Sequence, residues 1–281
     1  MKEKRKMKKP VKVIVIILIV IAVLTPVQLA VMGWFGGIGP LGSLKNVRMG
    51  KMAGNQPEYD FSQITEIENS PLAGKRICVL GSSVVYGTAS QENSVGEYLS
   101  ARFGCDLTKE AVSGTTLADN GPNSYVQRML NKIPKDASID LFICQLSTND
   151  ASKQISLGKI SDGTDLNNFD TTTVTGAIEY IIAYARETWN CPVIFFTGSR
   201  YDSTGYEAMV NRLLELQEKW NIGVLDLWSS EKFNDISEAD RKIYMADGIH
   251  PTKAGYRDWW GPEMERQMTE YLTALGDYTV D

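Results

Sequence analysis

The stretch Arg76-Ile77-Cys78-Val79-Leu80-Gly81-Ser82-Ser83 is a short apolar run that stops at a glycine and opens into a pair of hydroxyls. An uninterrupted run of that length predicts a strand buried on both faces, not the alternating strand of a half-solvated sheet. Similar runs recur at 105–112, 139–146, 191–197 and 222–227. Between them lie segments of helical length at 95–103, 125–133, 174–188 and 206–220, and a last helix is predicted over 253–275. Within 174–188, Ala177, Ile178, Ile181, Ile182 and Ala185 recur at three- and four-residue steps, which is one apolar helix face. This alternation predicts an α/β fold, a three-layer α/β/α sandwich around a five-stranded, mostly parallel sheet. Ligands of such sheets bind beyond the carboxyl ends of the strands, so chemistry is to be sought there.

Four of those ends carry reactive residues. Strand one runs into Gly81-Ser82-Ser83-Val84-Val85-Tyr86-Gly87, and strand two ends at Ala111-Val112-Ser113-Gly114-Thr115-Thr116. Strand three ends at Ser147-Thr148-Asn149-Asp150, and Asp247-Gly248-Ile249-His250-Pro251 follows strand five. Each block alone reads equally well as a turn or a helix cap. Gathered on one sheet edge, they supply a hydroxyl nucleophile, an imidazole base, a carboxylate to orient it and oxyanion donors, the parts of acyl transfer. His250 is the single histidine of the chain, which excludes metal sites built on two or more imidazoles. Cys78, Cys105, Cys144 and Cys191 lie 27, 39 and 47 residues apart, so no C-x-x-C motif exists. All four fall in or at the start of predicted strands and read as small buried hydrophobes in preference to disulfides.

These blocks resemble the SGNH (GDSL-type) hydrolase superfamily over roughly residues 75–275. By that resemblance Ser83 is the nucleophile, at the third position of the family's Gly-Asp-Ser opening. Gly114 matches the block-two glycine, Asn149 the block-three asparagine, and Asp247 with His250 the closing Asp-x-x-His. The resemblance implies a flavodoxin-like strand order 2-1-3-4-5 and a serine esterase mechanism. It further implies an oxyanion hole of the Ser83 and Gly114 N–H groups with the Asn149 amide, and neither metal nor cofactor. Two positions depart from the pattern: Ser82 stands where the family has aspartate, and Ser147 where a glycine opens Gly-x-Asn-Asp. Neither change removes a triad or oxyanion group. Ser82 leaves two adjacent hydroxyls as candidates for attack, and register favours Ser83.

Around the site, Ser82, Arg200 and Tyr201 are candidate substrate contacts, the last two because Gly198-Ser199-Arg200-Tyr201-Asp202 leaves strand four on the same edge. The rival reading of Arg200 is an ion pair with Asp202. Residues 151–173 read as a substrate flap or a solvated loop, and Trp259-Trp260 as the buried face of the last helix.

Composition bounds the rest. The 281 residues are 43% hydrophobic and 22% charged, ordinary globular usage that excludes disordered and collagen-like classes. The formal net charge of −5 hides an asymmetry, since seven of the first twelve residues are Lys or Arg and the remainder is strongly acidic. An acidic body repels phosphate backbones, so nucleic acid is not an expected partner. The basic cluster precedes the apolar run 13–24, and apolar character persists to residue 35, long enough to cross a hydrocarbon core of about 30 Å. The expected organisation is a basic cytoplasmic segment 1–12, a transmembrane signal-anchor 13–35, a linker 36–72 and an outward-facing hydrolase domain 73–281. A cleaved signal peptide would instead give a secreted domain, but no small-x-small site follows the run. The expected function is an exported, membrane-tethered serine esterase that removes acetyl or short acyl groups from a small acyl ester or an acylated glycan. A lipid or lysophospholipid esterase, an O-acyltransferase of the same superfamily and a non-catalytic glycan-binding domain are the alternatives.

Overall fold

The computed structural model describes residues 9–37 and 39–276. The chain divides into two units, Met1–Lys51 and Met52–Asp281. In the first, α1 (Lys9–Val31) is a single helix containing Pro26, followed by a π-helical turn at Met32–Gly36 and by α2 (Leu44–Gly50). Ile17, Val20, Ile21, Val23, Leu24 and Val27 of α1 are all exposed. Among the described residues no helix is long and apolar enough to cross a membrane. Residues 1–8 and the side chains of 9–12 in the basic segment, and the side chains of 13–16, 18, 19 and 35 in the expected span, lie outside the described residues.

In the second unit the expected strands become β1 (Arg76–Gly81), β2 (Asp106–Ala111, largely polar and only partly buried), β3 (Leu141–Gln145), β4 (Val193–Phe196) and β5 (Gly223–Leu225). They form one sheet of order β2-β1-β3-β4-β5, and every neighbouring pair is parallel. The helices are α3 (Ser83–Tyr86), α4 (Val95–Phe103), α5 (Tyr125–Lys132), α6 (Thr148–Ser152), α7 (Val174–Trp189) and α8 (Thr204–Trp220). α9 (Glu231–Asn234), α10 (Glu238–Tyr244) and α11 (Gly261–Ala274) complete the set.

Successive side chains of a strand point to opposite faces, and the three central strands show it directly. Cys78, Leu80, Phe142, Cys144, Val193 and Phe195 enter one core with residues of α5, α7 and α8. Ile77, Val79, Leu141, Ile143, Ile194 and Phe196 enter the other with residues of α4 and α11. Burial on both faces is why these strands lack polar alternation. All four cysteines are free thiols in this buried material.

Two boundaries differ from expectation. The last helix is not continuous over 253–275: Gly255–Trp260 is π-helical and α11 begins only at Gly261. Pro262, which has no N–H to give, sits at the start of α11, and the wider turn before it buries both Trp259 and Trp260. The stretch expected as linker over 36–72 is divided, because its residues from Met52 onward belong to the larger unit. Phe61 and Leu72 enter the α4–α11 core. Asn55 is buried, its amide donating to the Ala89 carbonyl at 2.7 Å while its carbonyl accepts the Lys253 N–H at 2.9 Å.

Candidate active site

The nucleophile candidate is placed by the turn that ends β1. A Cβ at Gly81 would lie 2.2 Å from Val85 Cγ2 and 2.8 Å from Gln145 Oε1, so only glycine fits there. Ser82 caps the single turn of α3, and its N–H donates to Gln145 Oε1 at 2.9 Å. Ser83 opens that turn, which ends at Gly87 with a left-handed φ of 76°. The Tyr256 hydroxyl donates to the Val84 carbonyl at 2.7 Å, holding the turn from below.

The acid and the imidazole come from one short loop. An antiparallel bridge between Met245 and Pro251 closes it, and the Ala246 N–H donates to the His250 carbonyl at 2.9 Å. Inside the loop, Asp247 Oδ1 accepts the N–H groups of Ile249 and His250, both at 2.8 Å. His250 Nδ1 lies 2.8 Å from Asp247 Oδ2, and His250 Nε2 lies 2.7 Å from Ser83 Oγ. A carboxylate on Nδ1 favours the tautomer protonated there, which leaves Nε2 to accept the serine proton. Desolvation pushes the Asp247 carboxyl up, but the His250 ring and the two loop N–H groups outweigh it and bring it down to about 2.

The donor side is built from the ends of β2 and β3. Gly114 has a left-handed φ of 80°, and a Cβ there would meet nothing within 4 Å, so conformation, not space, calls for glycine. The N–H groups of Gly114 and Ser83 have no partner among the described residues. The Asn149 side-chain amide donates to the Thr115 carbonyl at 2.9 Å, using one of its two hydrogens. Ser147 is fully buried with ordinary extended dihedrals, so serine replaces the expected glycine without strain, and its hydroxyl accepts the Asn149 N–H at 3.2 Å.

Three residues that position this edge were not singled out from the sequence. Asp150 is fully buried and accepts the N–H of Leu117 at 2.7 Å and of Ala118 at 2.9 Å, which fastens the segment after Gly114 to α6. Its carboxyl is raised by burial, an effect those hydrogen bonds oppose. Gln145 is a lone polar residue ending an apolar strand, a signal that was available. Arg128 is 2% exposed and donates to the Gly81 carbonyl at 2.7 Å, to Thr115 Oγ1 at 3.1 Å and to the Glu110 carbonyl at 3.0 Å. It thereby ties together the ends of β1 and β2 and the Gly114 loop.

The three expected substrate contacts fare differently. Ser82 is wholly buried and turned to Gln145, so it supports Ser83 from beneath and does not face a substrate. Arg200 is exposed, its guanidinium donating to the Ser229 carbonyl at 3.3 Å and not pairing with Asp202. Tyr201 is half-buried against Tyr206 and Trp228 and lines a small cavity with Val84 and Ile249. The 151–173 segment is fastened: the buried Glu179 accepts the Ser161 N–H at 3.0 Å, and Lys219 donates to the Ser161 and Gly163 carbonyls. Among the described residues no group of three or more His, Cys, Asp or Glu side chains could hold a metal ion.

Residues 79–257 match the family model of the GDSL-like lipase/acylhydrolases. Among solved structures, a protein from Lactobacillus plantarum is similar with a TM-score of 0.56 at 20% identity, covering 72% of this chain and 98% of its own. A possible lipase from Chitinophaga pinensis DSM 2588 is similar with a TM-score of 0.52 at 14% identity, again covering 72% and 98%. At such identities the likeness is one of fold. No curated protein matches the sequence. The parallel sheet of order 2-1-3-4-5, the reactive blocks at its carboxyl edge and the family match over 79–257 agree: the chain belongs to the GDSL-like lipase/acylhydrolase family.

Proposed function

We propose that this protein is a serine esterase in which Ser83 is the nucleophile, His250 the general base and acid, and Asp247 the group that orients it. The observation that carries the reading is the unbroken relay from Asp247 Oδ2 to His250 Nδ1 at 2.8 Å and from His250 Nε2 to Ser83 Oγ at 2.7 Å. Ser83 Oγ attacks the ester carbonyl as Nε2 takes its proton, and the imidazolium then gives that proton to the departing alcohol. Water, deprotonated by the same nitrogen, cleaves the acyl-enzyme and releases the acid. The tetrahedral oxyanion is held by the N–H groups of Ser83 and Gly114 and the remaining amide hydrogen of Asn149. One such donor is worth about 2.7–4 kcal/mol in the transition state. No step calls for a metal or a cofactor.

The substrate in this reading is an acetyl or other short acyl ester, carried on a glycan outside the cell. Its support is the location proposed for the domain: a basic cluster ahead of a long apolar run, and a helix, α1, on which Ile17, Val20, Ile21, Val23, Leu24 and Val27 are exposed. Reaction with a fluorophosphonate followed by peptide mapping tests the chemistry. Label on Ser83, absent after Ser83→Ala, is expected; an unlabelled parent that turns over no p-nitrophenyl acetate overturns the reading. Acetate release from acetylated glycans tests the substrate. Membrane fractionation, with and without residues 13–35, tests the tether.

A further inference from the structure

Residues 52–60 lie ahead of the family match at 79–257, yet they are seated against the loop that carries His250. A Cβ at Gly54 would fall 1.9 Å from the Ile243 carbonyl oxygen and 2.3 Å from Thr252 Oγ1, so only glycine lets the segment lie that close. Asp60 Oδ2 stands 3.6 Å from Lys253 Nζ, the Glu58 carbonyl accepts from Arg257, and the Arg257 guanidinium lies over the Tyr59 ring. These contacts fall on both sides of the short loop, at Ile243 before it and at Thr252, Lys253 and Arg257 after it.

Asn55 extends this grip to the turn that carries Ser83. Its side chain donates to the Ala89 carbonyl at 2.7 Å and accepts the Lys253 N–H at 2.9 Å. One partner can only accept and the other only donate, so the orientation of the amide is fixed. Both backbone groups are close in sequence to the chemistry. Lys253 is the third residue after His250. Ala89 follows Thr88, whose N–H donates to the Ser83 carbonyl at 3.0 Å, beside that of Gly87 at 3.1 Å. A second bond joins the same two parts, from the Tyr256 hydroxyl to the Val84 carbonyl at 2.7 Å. Parts held by one hydrogen bond can pivot about it, and a second bond elsewhere fixes their angle. Asn55 is 4% exposed, so water does not stand in for it.

We propose that Asn55 is a positioning residue for the relay: it sets the angle between the Ser83 turn and the His250 loop, and with it the 2.7 Å approach of Nε2 to Oγ. The proposal rests on the esterase reading above, since it needs Ser83 and His250 to act together. Asn55 works through the backbone at Ala89 and Lys253, so its loss acts on the chemical step and spares substrate binding. A displacement of about 1 Å in a reacting geometry can cost about 10²-fold in rate. The segment ahead of β1 is in this way part of the catalytic scaffold and not a spacer.

The test measures kcat and KM for p-nitrophenyl acetate in Asn55→Ala and Asn55→Asp, with kcat expressed per Ser83 site titrated by a fluorophosphonate. Titration counts folded sites, so a loss of stability alone leaves that kcat unchanged. Asn55→Ala is expected to lower it by about 10- to 100-fold, with KM within about twofold of the parent. Asn55→Asp has nearly the same shape and decides the matter if Asn55→Ala yields no titratable site. Its carboxylate still accepts the Lys253 N–H but has no hydrogen for the Ala89 carbonyl, which only the protonated acid supplies. The variant-to-parent ratio of kcat is therefore expected to be low at alkaline pH and to rise as pH falls, the titration of His250 being common to both. Parent-like kcat per site at every pH, a loss confined to KM, or a ratio that stays flat with pH overturns the positioning role and leaves the esterase reading standing. A parent that neither labels nor turns over ester overturns the esterase reading, and the positioning role with it.

Discussion

The Gln145 side chain accepts the Ser82 N–H at 2.9 Å, so the last residue of β3 holds the residue immediately before Ser83, the proposed nucleophile. Both residues are buried, and water cannot replace the bond. Gln145→Leu leaves that N–H unpaired, at a cost of about 1–3 kcal/mol. Urea unfolding should show the loss, with a fall in kcat as Ser83 loses its fixed approach. Unchanged stability would mean that the Ser82 N–H finds another acceptor.

Ser83→Ala and His250→Ala should each lower ester turnover by about 10⁴-fold or more, because members of such a relay act as a unit. The double variant should be little worse than either alone. Thermal unfolding should barely move, since Ser83 Oγ and the His250 ring bond chiefly to each other and to Asp247. Multiplicative losses in the double variant would indicate that the two residues act separately.

Asp247 predicts a pH dependence of stability. Its carboxyl falls from the ordinary 3.8 to about 2 in the folded chain. A lowered acid binds its proton less readily when folded, so its contribution is complete above pH 3.8 and is lost as pH falls through about 2. The difference in Tm between the parent and Asp247→Asn should therefore shrink across that window. A gap that stays constant there would show that the carboxylate's charge is not what the loop uses.

Gly114→Ala isolates backbone conformation from steric fit. The new methyl meets nothing within 4 Å, but a φ of 80° costs a non-glycine residue about 1–2 kcal/mol. The loop can relieve that strain by rotating its N–H away from the oxyanion position. The expected result is a small loss of stability and a larger loss of kcat than of KM. A change confined to KM would place Gly114 outside the oxyanion hole.

What could be read from the sequence followed local pattern. The helix at Val174–Trp189 was expected over 174–188 because Ala177, Ile178, Ile181 and Ile182 mark one face. The reactive blocks were legible because each lies at the end of an apolar run. β5 is shorter than the apolar run 222–227: Asp226 Oδ1 takes the N–H groups of Trp228 and Ser229 into a turn that ends the strand. Arg128 and Asp150 left no periodic trace, since their partners are backbone groups of distant segments, Gly81 in one case and Leu117 with Ala118 in the other. Ser82, a candidate substrate contact in the sequence, is instead buried with its hydroxyl 3.4 Å from Gln145 Oε1, a partner on another strand.

The seam formed by Asn55 bears on where the chain can be shortened. A protease acting after residue 72 would strip Phe61 and Leu72 from a folded interior and leave the Ala89 carbonyl and the Lys253 N–H without the side chain that joins them. A fragment meant to keep this fold should therefore begin no later than Met52, where the larger unit starts.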